Sequence, residues 1–222
     1  MYTSKILMKE TTKEDLSNVM ELWNNGDVML YVGFPEGLGV TLKELESWLQ
    51  NVNQNNLCKH YSIYTEELGY CGESFYDVDQ DHDLATLDIK LFPKAQGKGI
   101  AEYALRYVIR TVFNEKLASK AYVDPNPENK KAWKLYEKIG FVSKPRPKFL
   151  EEDDVYLEVT PESYQHTGVM NSEGFDGWAT QYDQSVHKSN EDNSYPFAGY
   201  QDVLAYIYQK VINNGPCSVL DI

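Results

Sequence analysis

A glycine-rich turn is the first part of this chain whose residue types and spacing suggest chemistry. Its sequence, Gln96-Gly97-Lys98-Gly99-Ile100-Ala101, connects a predicted strand to a predicted amphipathic helix. The two glycines remove the Cβ atoms that would keep a ligand away from the backbone. The N–H groups at the start of the helix have no partner within it, and they point outward at the positive end of the helix dipole. The turn is therefore predicted to bind a pyrophosphate, with Lys98 adding a positive charge.

The turn also has a purely structural interpretation, in which the glycines only cap the helix. Its position between a strand and a strongly amphipathic helix favours the anion site. Other phosphate-binding patterns do not fit, because the sequence contains neither G-x-x-x-x-G-K-[ST] nor G-x-G-x-x-G.

The elements before the turn follow from the period of the apolar residues. A strand, a helix, an irregular mobile segment and a second helix are predicted at residues 5–10, 12–23, 24–40 and 41–49. Thr12 and Asp15 form an imperfect capping box at the start of the first helix, and Thr41 and Glu44 form another at the start of the second.

The rest of the pattern alternates strands and helices. Strands are predicted at 60–65, 70–77 and 84–92, a helix from 100, a strand at 118–123, a helix at 128–139, and strands at 141–142 and 155–160. This order predicts an α/β (α+β) domain over residues 1–164. The pattern lapses at 161–169, which predicts a linker at 165–169 and a separate segment at 170–222 with a mainly helical character.

Two stretches of the predicted domain carry a family resemblance. Leu91 to Ala101 resembles the acetyl-coenzyme A loop of the GNAT superfamily of N-acyltransferases. Asn126 to Phe141 is similar to the later motif of that family, with Asn, Ala, Tyr and Gly-Phe at the family's separations. The resemblance covers residues 3–163 and implies a GNAT-like mixed, mostly antiparallel central sheet flanked by helices.

The resemblance implies how acetyl-coenzyme A would be held. Backbone groups of Leu91 and Phe92 would hold the pantetheine arm, and one N–H near Leu91 would polarise the thioester carbonyl. Backbone groups from Gln96 to Ala101 would bind the pyrophosphate, and Asn129 would hydrogen-bond the cofactor. No metal is implied.

Tyr136 matches the family tyrosine that acts as general acid near the sulfur. A phenol, with an ordinary pKa near 10, can protonate a thiolate of similar basicity. A second interpretation stays open, because Ala132, Leu135, Tyr136 and Ile139 share one helix face and could simply form core.

The general base has several candidates. Glu73 and Asp88 lie on strands expected to flank the cleft, and either could accept the proton directly or through a water. Both could also be ordinary carboxylates on a solvated face, in which case a water chain would serve. His60 and His82 are predicted to be ordinary strand-end and loop residues.

Composition narrows the class of protein. The 222 residues include 34 acidic and 21 basic side chains, a net charge of −13, and this argues against nucleic acid as a partner. Cys58, Cys71 and Cys217 show no CxxC spacing, so neither a disulfide framework nor a zinc site is expected. No signal peptide or membrane segment is predicted, and the expected compartment is the cytoplasm.

These observations predict an N-acetyltransferase that uses acetyl-coenzyme A and acetylates a primary amine by direct attack on the thioester. The acceptor is expected to be a small cationic molecule or a peptide N-terminus, enclosed by residues 12–49 with Trp23, Tyr31 and Phe34. A homodimer is possible. The alternatives are a non-catalytic GNAT-fold binding or sensor module and an interaction protein.

The segment 170–222 carries a second resemblance. Phe175 to Ala179, Tyr195 to Tyr200 and Val219 to Ile222 look like the start of a class I methyltransferase that uses S-adenosylmethionine. The glycine loop of that family does not follow within this sequence, so no binding of S-adenosylmethionine is expected. In the interaction-protein alternative, this segment mediates association.

Overall fold

The structure, a computed structural model, describes residues 5–151 and 155–165. Within them seven strands form one sheet. They are β1 (Ile6–Glu10), β2 (Cys58–Thr65), β3 (Gly69–Asp79), β4 (Leu84–Leu91), β5 (Lys120–Val123), β6 (Val142–Ser143) and β7 (Leu157–Val159). The helices are α1 (Leu16–Trp23), α2 (Gly26–Met29), α3 (Leu42–Leu49), α4 (Ile100–Asn114), α5 (Lys130–Ile139) and α6 (Pro161–Gln165).

The sheet has the strand order β1-β2-β3-β4-β5-β7-β6, and all pairs are antiparallel except β4 with β5. The predicted fold class, a mixed and mostly antiparallel sheet flanked by helices, is confirmed. The parallel pair needs a crossover connection, and α4 supplies it.

Side chains alternate along each strand, so the two faces of the sheet carry different sets of residues. One face carries the main core, in which Leu105, Val108 and Ile109 of α4 are fully buried. The opposite face carries two cross-strand rows of polar and aromatic side chains, His60–Phe75–Asp88 and Ser62–Glu73–Lys90.

A β-bulge sets the register of these rows. The pairing of β2 with β3 shifts between Ile63 and Tyr64, where Ile63 lies opposite Gly72 but Tyr64 lies opposite Tyr70. Cys71 is therefore an extra residue in β3. In a regular strand, side chains would alternate without interruption from the hairpin turn onward. Because of the extra residue, every residue of β3 after Cys71 faces the opposite side of the sheet from the one expected for such a strand.

The capping predictions are confirmed in both helices of the N-terminal half. The Thr41 N–H and Oγ1 both donate to Glu44 Oε2, over 2.8 and 2.7 Å. The Thr12 N–H donates to Asp15 Oδ2 over 2.8 Å, although residues 13–15 form a 3₁₀ turn before α1 begins at Leu16.

The prediction of an irregular segment at 24–40 is wrong for its first half, which contains α2 and a 3₁₀ turn at Leu30–Val32. The Asn25 side chain caps α2 by accepting from the Val28 N–H over 3.2 Å. Asn24 closes the segment, because its side chain donates to the carbonyl of Val40 and accepts from its N–H. The sequence here lacks the apolar periodicity of a helix, and side-chain caps stabilise the short helical turns instead.

Smaller differences concern element ends. α5 begins at Lys130 rather than 128 because Asn129 is its N-cap, and α6 occupies part of the boundary predicted at 161–169. The methyltransferase-like segment 170–222 lies outside the described residues, and the division into domains stays a prediction. No helix in residues 5–151 and 155–165 has the length and apolar character needed to cross a bilayer.

We expect the bulge to depend on Gly72. Its φ of +152° is unfavourable for other residues, and a Cβ there would lie 2.0 Å from the carbonyl oxygen of Lys90. Gly72→Ala should lower the free energy of unfolding by about 3 kcal/mol, measured by urea denaturation. The control Gly69→Ala has φ +67° but open space at its Cβ, and should cost only about 1 kcal/mol. Equal losses in the two variants would contradict this account.

Candidate functional site

A gap between β4 and β5 forms the first part of the site. The two strands pair only over Leu84–Thr86 and Lys120–Tyr122, whereas β4 continues to Leu91. The Phe92 N–H donates to the Cys71 carbonyl over 2.9 Å, towards β3. Because amides alternate along a strand, the Leu91 N–H points the other way, into the gap. Of the N–H groups of Leu91 and Phe92, only that of Leu91 is therefore directed into the gap.

The glycine turn continues from this strand end. Gly97 and Gly99 have φ of +72° and +81°, and no heavy atom lies within 4 Å of a Cβ built on either one. The protein therefore needs glycine here for the backbone conformation, and the space above the turn is open. Gly99 is the N-cap of α4 and has no side chain to cover the first N–H groups of that helix, those of Ile100 and Ala101. A cradle of this kind fits a pyrophosphate.

The side chain of Gln96 has a role that sequence analysis missed. Its Nε2 donates to the Leu91 carbonyl over 3.2 Å, so it ties the turn to the end of β4. This contact links the glycine turn to the strand end that carries the Leu91 N–H. Lys98 is half-buried between the two glycines.

Asn129 serves as the N-cap of α5, and its Oδ1 accepts from the Ala132 N–H over 3.2 Å. The amide oxygen therefore has a structural role, and the Nδ2 group is the part of the side chain left to donate to a ligand. At the other end of α5, Gly140 adopts φ +105° as predicted for a C-terminal cap.

Tyr136 lies at the junction of the core and the site. It is 7 % exposed and packs edge-on against Phe141 with ring centroids 5.3 Å apart. Burial raises the pKa of Tyr136 well above its ordinary value, and the negative charges of Asp88 and Asp124 raise it further. The hydroxyl therefore stays protonated at neutral pH. Both interpretations of Tyr136 fit, since the ring packs in the core while the hydroxyl lies within the electrostatic reach of Asp88.

A cavity of about 200 Å³ lies on the face of the sheet that carries the two polar rows. Its lining combines aromatic and charged side chains from three strands and two helices. These residues are Trp23, Trp48, His60, Glu73, Phe75, Asp88 and Lys90.

The aromatic wall of the cavity comes from the last residue of α1 and from α3. The Trp23 and Trp48 rings meet edge-to-face with centroids 5.0 Å apart, and Trp48 meets the His60 ring in the same way at 4.8 Å. Aromatic faces of this kind attract ammonium groups. The wall is therefore suited to a cationic, partly apolar ligand.

Glu73 forms the floor of the cavity and is 2 % exposed. Its Oε1 accepts from Trp23 Nε1 over 2.7 Å and lies 3.4 Å from Lys90 Nζ. Its Oε2 lies 3.0 Å from His60 Nε2, at angles outside hydrogen-bond geometry. Burial acts to raise the pKa of Glu73, but His60, Lys90 and Trp23 outweigh it and lower the pKa below its usual value. Glu73 is thus negatively charged at neutral pH.

Asp88 is the more accessible carboxylate, with a side chain 43 % exposed. Its Oδ1 accepts from the Ile89 N–H over 2.7 Å, and its Oδ2 pairs with Lys90 Nζ. Asp88 lines the cavity, and its negative charge contributes to the raised pKa of Tyr136.

The structure brings Glu73, Asp88 and Trp23 together as the sequence suggested, but Tyr31 and Phe34 are exposed and do not line the cavity. The prediction that His60 is an ordinary strand-end residue is wrong, because it is buried beside Glu73. His82 lies in an exposed loop and contacts Asp79, as predicted.

Sequence analysis missed Trp48, Phe75 and Lys90 as lining residues. Two of these residues could have been found from the alternation of side chains along a strand. Phe75 is two residues from Glu73, and Lys90 is two residues from Asp88, so each pair shares a face of the sheet. Placing both pairs beside His60 requires the register, which the bulge changes.

The family assignment rests on a match over most of the domain. The family model described as Acetyltransferase (GNAT) domain matches residues 5–142. The chain therefore belongs to this family, and it is an acyltransferase of the GNAT type.

Individual relatives are distant. An aminoglycoside N(6')-acetyltransferase type 1 of Klebsiella pneumoniae is 23 % identical over 173 residues, which cover 73 % of this chain and 86 % of that protein. A spermidine N(1)-acetyltransferase of Vibrio cholerae is 26 % identical over 140 residues, covering 63 % and 80 %.

Solved structures share the fold. The spermidine N-acetyltransferase from Vibrio cholerae, in complex with CoA and spermine, superposes with a TM-score of 0.60 at 22 % identity, covering 72 % of this chain and 97 % of that one. The aminoglycoside acetyltransferase AAC(6')-Ib in complex with coenzyme A has a TM-score of 0.60 at 21 % identity, covering 74 % and 100 %.

The charge of Glu73 should stabilise the fold in a pH-dependent way. Because folding lowers its pKa from the usual 4.5, the carboxylate stabilises the folded state above that pH and loses this contribution as the pH falls. Glu73→Gln should cost about 3 kcal/mol at pH 7, because it leaves Lys90 and His60 without their buried partner. The difference from wild type should shrink below about pH 5 and vanish towards pH 2.

Urea unfolding at a series of pH values measures this difference. The exposed Glu21→Gln variant is the control and should stay within about 0.5 kcal/mol of wild type. A Glu73→Gln penalty that is independent of pH would show that the charge contributes nothing.

Proposed function

We propose that this chain transfers an acetyl group from acetyl-coenzyme A to a primary amine of a small cationic molecule. The observation that carries the proposal is the position of Asp88, which lines the aromatic cavity and acts electrostatically on Tyr136. An amine bound in the cavity would thus lie beside Asp88, whose negative charge also acts on the tyrosine that the family motif marks as an acid.

The residues present fit acetyl-coenzyme A. The open cradle at Gly97 and Gly99 would take the pyrophosphate, and the Leu91 N–H in the gap would bond the acyl carbonyl. Asn129 would contribute its Nδ2 group. The cofactor, when bound, supplies an activated acyl group as a thioester. These residues would hold it, and Tyr136 would be the proton donor at its acyl end.

Tyr136 would act as the general acid. A phenol is protonated at neutral pH even at its ordinary pKa near 10, so the hydroxyl carries a proton for the thiolate that leaves. Deep burial excludes bulk water, which would otherwise compete as the proton donor.

Asp88 rather than Glu73 would take the proton of the amine, directly or through a water. Glu73 has a lowered pKa and is enclosed by Trp23, His60 and Lys90, so it is a poor proton acceptor. Its role would be to attract the ammonium form of the acceptor into the cavity. Asp88 is partly exposed, and its charge acts on Tyr136.

The relatives support a cationic acceptor. Their names describe acetylation of aminoglycosides and of spermidine, both of which carry several amines. The aromatic and acidic lining of the cavity has the matching chemistry.

The direct test combines binding with turnover. Calorimetry with acetyl-coenzyme A is expected to give saturable binding, and release of free thiol is expected with at least one amine. The amine panel should include monoamines, polyamines, aminoglycosides and peptides with a free N-terminus. Binding without thiol release across the panel would favour a non-catalytic sensor module.

Replacing the proposed acid should separate chemistry from binding. Tyr136→Phe should lower kcat about 100-fold or more while the Kd for acetyl-coenzyme A stays within about twofold, because only the hydroxyl is removed. The measurement is thiol release together with calorimetry.

Tyr61→Phe is the matched control for this variant, since Tyr61 is equally buried in the same core cluster but lies outside the cavity. It should retain nearly all activity. If Tyr136→Phe behaves like Tyr61→Phe, Tyr136 is not the acid.

Filling the cradle should weaken cofactor binding. Gly99→Ala puts a Cβ into the open space above the turn and strains a φ of +81°, so the Kd for acetyl-coenzyme A should rise about tenfold or more. Gly69→Ala carries the same kind of backbone strain at φ +67° in a hairpin turn, and should leave the Kd unchanged. Unchanged affinity in Gly99→Ala would remove the turn from the cofactor site.

A further inference from the structure

Lys90 is an unexpected residue in a cavity meant for cations. Its side chain is 12 % exposed, and its Nζ contacts both carboxylates of the cavity, Asp88 Oδ2 and Glu73 Oε1, the latter at 3.4 Å. An ammonium group of the protein itself thus occupies the position between the two carboxylates.

We infer that Lys90 is a specificity-determining residue, which limits the cavity to one ammonium group of the acceptor and selects against acceptors with a second one nearby. The inference rests on the proposed function and deepens it, because it concerns which amines this site accepts.

The charges of the described lining support this inference. Glu73 and Asp88 carry two negative charges, Lys90 carries one positive charge, and His60 is the remaining titratable group. The two carboxylates therefore exceed the ammonium group of Lys90 by one charge, which one ammonium group of an acceptor balances.

Lys90 is firmly held in its charged form. Burial acts to lower its pKa, but Asp88 and Glu73 outweigh burial and raise the pKa above its ordinary value. The positive charge therefore persists at any pH at which the enzyme would work. It cannot be lost to make room for a second cation.

The arrangement of the cavity lining also disfavours a second ammonium group. Trp23, Trp48 and Phe75 fill the uncharged part of the lining, so the charged part is the side formed by Glu73, Asp88 and Lys90. A second ammonium group on a short diamine would meet Lys90 there. At short range in a partly buried site, the repulsion between two positive charges is large enough to change affinity about tenfold.

The test compares two acceptors that differ by one ammonium group, butylamine and 1,4-diaminobutane. The quantity measured is the ratio of kcat/KM for the diamine to kcat/KM for the monoamine. Lys90→Gln should raise this ratio about tenfold, mainly through a lower KM for the diamine. Lys90→Arg keeps the charge and should retain the wild-type ratio.

Lys59→Gln is the matched control for loss of one positive charge. Lys59 is also 12 % exposed and pairs with a carboxylate, that of Glu10 at 2.9 Å, but it does not line the cavity. It should leave the ratio unchanged. A change of less than twofold in Lys90→Gln, or an equal change in Lys59→Gln, would overturn the inference.

Calorimetric binding of the two amines to wild type and to Lys90→Gln separates this inference from the proposed function. If no amine releases thiol, the proposed function fails, but the ratio of the two Kd values still decides the role of Lys90. If Lys90→Gln does not fold, the binding of the two amines to wild type alone tests the role of Lys90. There, 1,4-diaminobutane should bind no more than about twofold tighter than butylamine, and tenfold tighter binding overturns the inference.

Discussion

The short pairing of β4 with β5 is the constraint on which the rest of the site depends. The two strands share only three residue pairs, and beyond Thr86 the amides on one edge of β4 have no neighbouring strand among the described residues. Backbone N–H groups strongly require a partner, so an edge of this kind is costly unless a ligand or water satisfies it. The glycine turn and the start of α4 follow the end of β4 directly in the chain, so they lie close to this gap.

A second constraint is the buried carboxylate of Glu73. An isolated negative charge at this depth would be strongly destabilising, and three partners from three different elements prevent that. Trp23 connects the carboxylate to α1, His60 to β2 and Lys90 to β4. The contacts that stabilise the buried charge therefore also fix the walls of the cavity. The stability of the fold and the shape of the proposed acceptor site depend on the same residues.

The different roles proposed for the carboxylates of Glu73 and Asp88 follow from their surroundings. Glu73 is enclosed and charged at neutral pH, whereas Asp88 is partly open and acts on Tyr136. Two acidic residues on adjacent strands thus serve different purposes in the proposed reaction, one for attraction and one for proton transfer. The difference comes from burial and hydrogen bonding rather than from residue type.

Local sequence was sufficient for the features that depend on neighbouring residues. The caps at Thr12, Thr41 and Gly140 and the type and order of the main elements could be predicted, because each depends on interactions within a few residues. Glu73 and Asp88 were found as candidates because carboxylates on strands beside a cleft are chemically conspicuous.

The tertiary structure alone decided which side chains meet. His60, Trp48 and Lys90 come from three separate elements, and their convergence on Glu73 depends on strand register. The extra residue Cys71 moves all of β3 beyond it to the opposite face, and a shift of one residue leaves no trace in hydrophobic alternation when both faces are covered. Contacts between residues far apart in sequence are fixed by packing of the whole sheet, so the pattern within any single strand could not reveal them.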